Sequence, residues 1–387
     1  MKVAIVHEWL TTYAGSDKVL AVMLSIFPDA DLFCLIDHLP ESERLAFART
    51  KIKASFLQKV PFSKHIYRYL LPLMPLAIEQ HDLSSYDIVI SNSHAVAKGV
   101  LTGADQLHIC YCYTPVRYAW DFQHQYLKES NLTKGVGSAF IRYFLHRMRL
   151  WDYRTANSVD HFIACSGYIA RRIWKVYRRP STVIYPNVEV DDFVLGSGPR
   201  EEFYLTASRM VPYKQIQLIV EAFTRMPDRK LIVIGTGPLF KQIQARATPN
   251  VTVLGYQPFP VLLEYMQKAR CFIFASEEDF GIAPLEAQAC GTPVLAYGKG
   301  GARETVLDGI TGLFFSAQTP EAVCEGVERF ERMENDFDAE SIRSHAQTFS
   351  TESFKIKFRA YVEARWAEHQ QNVKFYPREF ARVKGVP

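Results

Sequence analysis

The sequence predicts an α/β protein made of two Rossmann-like, doubly wound parallel sheets in tandem. Three observations point there. Short apolar runs alternate with helix-length amphipathic stretches through both halves of the chain. The runs are apolar on both faces, as strands must be when helices cover both sides of a parallel sheet. The alternation lapses around 188–201, where VEVDDFVLGSGPRE gathers glycine, proline and acids and reads as a linker. With 387 residues, the chain also exceeds what one ordinary core holds.

In the first half the expected strands are VAIVHEW (3–9), DLFCLI (31–36), DIVISNS (87–93), HICYCY (108–113), HFIACS (161–166) and TVIYPN (182–187). SDKVLAVMLSIF and RRIWKVY between them read as helices, and 120–157 as a longer, less regular helix-rich segment. In the second half the strands are FYLTAS (203–208), KLIVIG (230–235), VTVLGY (251–256), CFIFAS (271–276) and PVLAYG (293–298). Helices fall near 214–226, 238–247, 260–268, 284–290 and 319–334, and a final amphipathic helix near 351–370. The expected domains are 1–190 and 200–360, followed by a helix and tail, 361–387, able to pack back on the first domain. Two such sheets facing each other would place a ligand cleft at the carboxyl ends of their strands.

Composition excludes some classes. Hydrophobic residues make up 48%, charged residues 22%, and a net charge of +4 is too small to imply nucleic acid. Charge is uneven, however. Residues 51–70 carry Lys51, Lys53, Lys59, Lys64 and Arg68 and no acid, and 139–179 carry nine Lys/Arg among aromatics, against Asp152 and Asp160. These stretches are either solvated faces or a surface for anionic lipid, with Arg171, Arg172, Arg178 and Arg179 as the positions to test. Of the seven cysteines, Cys110, Cys112, Cys271 and Cys290 sit in or beside apolar runs as core residues do, and no CxxC spacing suggests zinc or redox chemistry. That usage suits a reducing cytosol. The start, MKVAIVHEWL, reads as a first strand rather than a signal peptide. No apolar run approaches the roughly 18 residues of a membrane span.

The stretch EEDFGIAPLEAQACGTPVLA, residues 277–296, carries the chemistry. A strand ends near Ser276, and Pro284 suits a first helical turn. The loop between them presents amides at a helix N-terminus, an anion site, and Gly281 allows close approach. Glu278 and Glu286 flank it. Carboxylates are poor partners for phosphate but good acceptors for sugar hydroxyls, so a ligand with hydroxyls at both ends and phosphate between them fits: a nucleotide-sugar. The alternative is an ordinary strand–helix turn with surface glutamates. In SRMVPYKQIQLIVEAF (208–223), Arg209 and Lys214 precede a helix and can neutralise a diphosphate without a metal; the alternative is two solvated cations. Gly15 follows the first strand, with Ser16 placed to cap the next helix, and His94 follows another strand end. Two further motifs are read as decoys. Asp29-Ala30-Asp31 has metal–diphosphate spacing but sits at the amino end of a strand. Gly235-Thr236-Gly237 opens a dinucleotide fingerprint, but residue 240 is Phe.

These motifs together resemble a family 4 retaining glycosyltransferase of the GT-B fold, over nearly the whole chain. EEDFGIAPLEAQACGTPVLA is similar to the family's E-x7-E signature and its A-x-G-x-PV segment, and SRMVPYKQIQLIVEAF to its Arg…Lys clamp. SNSHAVAKGV, CYTPVRYAWDF and ACSGYIARRIWKVY…STVIYPNVEVDDF resemble a bacterial polysaccharide subgroup, often mannosyltransferases. The resemblance implies that Glu278 lies near the transferred sugar's hydroxyls and Glu286 on the ribose. Phe280, Gly281 and Ile282 would meet sugar and diphosphate. Arg209 and Lys214 would clamp the diphosphate, His94 would lie near the donor sugar, and Gly15 would form the first domain's glycine loop. It implies GDP-mannose as first-choice donor, a lipid-linked or growing glycan as acceptor, no cofactor or metal, and a cytoplasmic enzyme peripheral to the inner membrane face. Three departures bear on the acceptor: Ala14-Gly15 in place of two glycines, Tyr113 where His is frequent, and Cys165 where Asn is usual. The rival readings are a GT-B epimerase, a non-catalytic nucleotide-sugar binder and a nicotinamide dehydrogenase, the last lacking a completed fingerprint.

Overall fold

The computed structural model describes residues 1–13 and 15–380, the side chains of Glu129 and 373–380 excepted. Ala14, half of the Ala14-Gly15 departure, and 381–387, the end of the expected tail, lie outside the described residues.

Thirteen strands form among the described residues. The first seven are β1 (Val3–Leu10), β2 (Asp31–Asp37), β3 (Ile52–Ala54), β4 (Ile88–Ser93), β5 (Leu107–Cys112), β6 (His161–Ala164) and β7 (Ser181–Val183). They make one sheet in the order β3-β2-β1-β4-β5-β6-β7, with every pair parallel. The other six are β8 (Phe203–Ala207), β9 (Lys230–Ile234), β10 (Val251–Gly255), β11 (Cys271–Phe274), β12 (Val294–Tyr297) and β13 (Gly312–Phe315), in the parallel order β10-β9-β8-β11-β12-β13. In each sheet the order reverses once, between β1 and β4 and between β8 and β11. Loops leaving the carboxyl ends of strands at such a reversal diverge to opposite faces and leave a crevice.

Contacts divide the chain into two units: Met1–Pro186 together with the chain from Phe354 onward, and Asn187–Ser353. The last helix, Thr351–Phe380, runs beyond the expected 370. From Phe354 it joins the first unit's core, where Phe354 and Phe358 are stacked and meet Tyr111 at ring separations of 5.9 and 6.1 Å. The 188–201 segment is not a free linker. Val188, Val190 and Phe193 are buried, Val188 N donates to Phe349 O, and Arg343 Nη1 donates to Phe193 O at 2.6 Å.

Two strands escaped the sequence reading. The edge strand β3 has three residues, one of them Lys53, too few for an apolar signal. The other, β13, opens on Gly312, required because a Cβ there would lie 1.9 Å from Val294 O. Helices Ala302–Thr305 and Ala339–Gln347 were likewise not anticipated.

Two of the four arginines expected on a lipid-facing surface are structural, while Arg171 and Arg178 are exposed. Arg172 is buried, donating to Thr114 Oγ1 at 2.6 Å and Asp121 Oδ1 at 2.5 Å. Arg179 ties down the carbonyls of Ala156, Val159 and Asp160. These two hold the fold, so charge reversal there would report unfolding. Asp31 of the DxD spacing pairs with Lys53 Nζ at 2.9 Å and accepts from Tyr86 OH. All seven cysteines are free, six of them buried. No helix among the described residues is long and apolar enough to cross a membrane.

Candidate functional site

The site residues of the second unit gather at its sheet reversal. After β8 the chain turns through Ser208–Val211, makes a single 3-10 turn at Pro212–Lys214, and enters helix Ile216–Thr224 through Gln215, which is left-handed at φ 57°. After β11 it turns through Ser276–Gly281 into helix Ile282–Ala289. The two loops meet at Lys214 and Glu278: Lys214 Nζ lies 2.5 Å from Glu278 Oε1, which also accepts from Ser276 Oγ at 2.7 Å. Both members of the pair are 18% exposed, so the bond is reachable by a ligand. Arg209 is exposed, and no ion pair to it exists among the described residues.

Gly281 caps the helix with φ 93°, a conformation that costs a side-chain-bearing residue about 1 kcal/mol or more. No side chain caps this end and its first turn holds no acid. Pro284 has no N–H, so the amides at hand are those of Gly281, Ile282 and Ala283. Phe280 is buried against Phe349, and Glu286 lies one turn into the helix. Burial pushes the Cys290 thiol up to about 12, with Glu286 adding and Arg343 opposing, so this cysteine is no nucleophile.

Four glycines that sequence reasoning did not assign hold these loops. A Cβ at Gly300 would fall 2.5 Å from Glu278 O, and one at Gly301 2.4 Å from Phe280 Cα; Gly301 N donates to Glu278 O at 2.8 Å. Cβ atoms at Gly235 and Gly237 would strike Ser208 O and Met210 O, and Met210 N donates to Thr236 O. The partial fingerprint therefore supports the Arg209 loop by close backbone packing. A GG or GTG after a strand end was the available signal.

His94 and Gly15 belong to the first unit, at the carboxyl ends of β4 and β1. Gly15, at φ 44°, precedes helix Ser16–Ile26, and it makes no side-chain cap. Ser16 is the first helical residue rather than the expected cap; its carbonyl accepts from Asn92 Nδ2 and Tyr113 OH. Tyr113 also receives the Cys165 thiol on its carbonyl at 3.3 Å. The loop after β4 is organised by Glu8, which the sequence reading passed over. Fully buried, it accepts from Ser93 Oγ and from the amides of His94, Ala95, Val96 and Ala97 at 2.8–3.1 Å. Burial would raise its pKa, but the His94 charge and these amides outweigh that and hold the carboxyl below its usual range. His94 itself is held down by burial, with Glu8 opposing. Its ring stands edge-on to Trp9 at 4.8 Å, and Nδ1 is buried with no partner among the described residues.

Solved structures share this architecture. HepE of Anabaena, solved with UDP and glucose, aligns with TM-score 0.66 at 15% identity over 94% of this chain and 99% of its own. Sucrose-phosphate synthase of Thermosynechococcus elongatus aligns with TM-score 0.71 at 16% identity over 95% of this chain and all of its own. Two doubly wound parallel-sheet units in one chain, with these neighbours, define the GT-B class of fold. Residues 187–347, which lie within the second unit, match the family model for glycosyl transferases group 1. An uncharacterized glycosyltransferase of Methanocaldococcus jannaschii is 29% identical over 46% of this chain and 51% of its own. A GDP-mannose-dependent alpha-(1-6)-phosphatidylinositol monomannoside mannosyltransferase of Mycolicibacterium smegmatis is 33% identical over 45% and 53%. The chain thus spans about half the length of these relatives.

Proposed function

We propose that the protein is a retaining glycosyltransferase that moves a sugar from a nucleotide-sugar, GDP-mannose as first choice, to a hydroxyl of a lipid-linked or growing glycan. The observation that carries this is the convergence at one sheet reversal of Arg209, the Lys214–Glu278 pair and the uncapped helix at Gly281. The mannosyltransferase relative supports the donor assignment.

In this reading the diphosphate draws Lys214 away from Glu278 and takes Arg209 and the amides of Gly281 and Ile282 as further partners. Glu278, released, accepts from the sugar hydroxyls, and Glu286 from the ribose. The acceptor oxygen bonds to the anomeric carbon on the face the diphosphate leaves. The anomeric carbon–oxygen bond breaks toward the phosphate, whose oxygen takes the acceptor's proton. Arg209 and Lys214 stabilise the charge that develops on the leaving group, so no metal is required. His94 positions the donor sugar, and Gly15 lets the first unit's loop approach it.

Labelled GDP- and UDP-sugars with membrane lipid extract test the activity. Label in the lipid fraction is the expected result. An altered free donor would instead mean an epimerase, and binding without turnover a non-catalytic binder. Arg209→Ala should lower kcat by roughly 100-fold with an unchanged melting curve; a near-normal kcat would remove Arg209 from its role.

A further inference from the structure

The first unit contains a cavity of about 670 Å³ with His94 in its wall. Its size suits a small-molecule site. Leu127, Leu132, Ile141 and Leu145 supply an aliphatic side, and Trp9 and Tyr118 an aromatic one. Saccharides alone would be poorly served here, since the lining holds no Asp or Glu to accept from hydroxyls. The charged side chain in the lining is Arg68, exposed like the neighbouring His65. They sit in the 51–70 stretch, which has no acid. The two segments that wall the cavity also expose Tyr69 and Phe140, at 84% and 67%. An apolar chamber with a basic entrance matches an amphiphile with one anionic end.

We infer that this cavity seats the apolar chain of a lipid phosphate acceptor, with His65 and Arg68 on the phosphate. This rests on the transferase reading and narrows it. His94, which would lie beside the donor sugar, shares its wall with the chain.

The test uses the full chain and decyl phosphate below its critical micelle concentration, followed by calorimetry. Decyl phosphate should bind saturably. It should exceed decyl glucoside, which has the same chain and a neutral head, by about fivefold, and inorganic phosphate alone should not bind. Leu132→Trp and Ile141→Trp, on two different segments of the wall and both partly exposed, should each weaken decyl phosphate by about tenfold through occupying the space. If Ile141→Trp lowers the melting temperature, Leu132→Trp is the variant read. Arg68→Glu should abolish the preference for phosphate while leaving decyl glucoside unchanged. Absent saturable binding, or binding indifferent to both tryptophan variants, overturns the assignment. Transfer to soluble oligosaccharide without amphiphile binding overturns this inference and leaves the transferase. Amphiphile binding without turnover of any donor leaves the cavity and overturns the transferase.

Discussion

The loop after β4 and the loop after β11 occupy the same place in their two sheets, and the chain holds them by opposite means. In the first unit a buried carboxylate, Glu8, reaches across from β1 and satisfies the amides of 94–97. In the second unit the loop rests on the glycine backbone of 300–301, and its helix end carries no acid. A strand-end amide nest attracts an anion in either case. One sheet supplies that anion from its own chain, so His94 is presented on a rigid base. The other has no side-chain cap at its helix end, and the loop after β8 brings Lys214 to Glu278 beside it. The same topology thus makes a scaffold in one unit and, in the function proposed above, a receptor in the other.

The strongest way to break this comparison is Glu8→Ala. It strips the acceptor from several buried donors at once, and should cost about 3–5 kcal/mol. Hydrogen exchange should show protection lost across β1, β4 and β5 and retained across β8 to β12. Equal loss in both units would deny Glu8 its local role.

Acid should separate the units next. Burial holds His108 down to about 4, with the Asp160 charge and the Ser158 carbonyl opposing. It is neutral in the fold, bonded to Ser91 Oγ and Ser158 O. The unfolded chain takes up this proton near 6.5. Stability from His108 is therefore full above pH 6.5 and lost as pH falls from 6.5 to 4, by about 3 kcal/mol. His81, His94 and His161 shift the same way by burial, all in the first unit. The second unit holds one histidine, His345, which burial lowers as well. Denaturant curves between pH 7 and 4 should show both units weakening, the first by more. His108→Gln should flatten the slope.

Gly301→Ala addresses the other loop. Gly301 has an ordinary φ of −67°, so alanine is excluded by the Phe280 backbone alone. Displacing that loop should lower turnover of the donor about 100-fold while costing roughly 1–3 kcal/mol of stability. Full activity would mean the glycine contact does not position the site.

The smallest effect distinguishes a latch from a strut. A double-mutant cycle of Lys214→Ala and Glu278→Gln should give a coupling of about 1 kcal/mol or less for stability, because the pair is partly solvated. Coupling for nucleotide-sugar affinity should differ from it, since the ligand is expected to break the bond. Identical values would mean the pair persists in the complex.

Much of this was legible in sequence because parallel strands announce themselves as apolar runs: the central strands of both sheets fall within a residue or two of their expected spans. Arg209, Lys214, Glu278 and Gly281 were legible because a strand end followed by a helix start is a local pattern, and the sheet reversal then gathered them. Glu8 was not, since its partners lie 85–89 residues away and a single acid in a strand carries no register. Gly300 and Gly301 stood out as a GG after a strand end, but what they avoid, the backbone of another loop, did not. Arg172 and Arg179 misled because a charge count cannot distinguish a solvated guanidinium from one that fastens carbonyls.

The closing helix has a consequence for synthesis. Phe354 and Phe358 seal the first unit's core, yet they are made after every residue of the second unit. During translation the middle of the chain can finish folding while its beginning still waits, with Tyr111 and Phe27 uncovered, for a cover that arrives last. Ribosome-bound chains ending at 353, carried on a linker long enough to clear the exit tunnel, should therefore show a protease-resistant second unit behind an exposed and sticky first one.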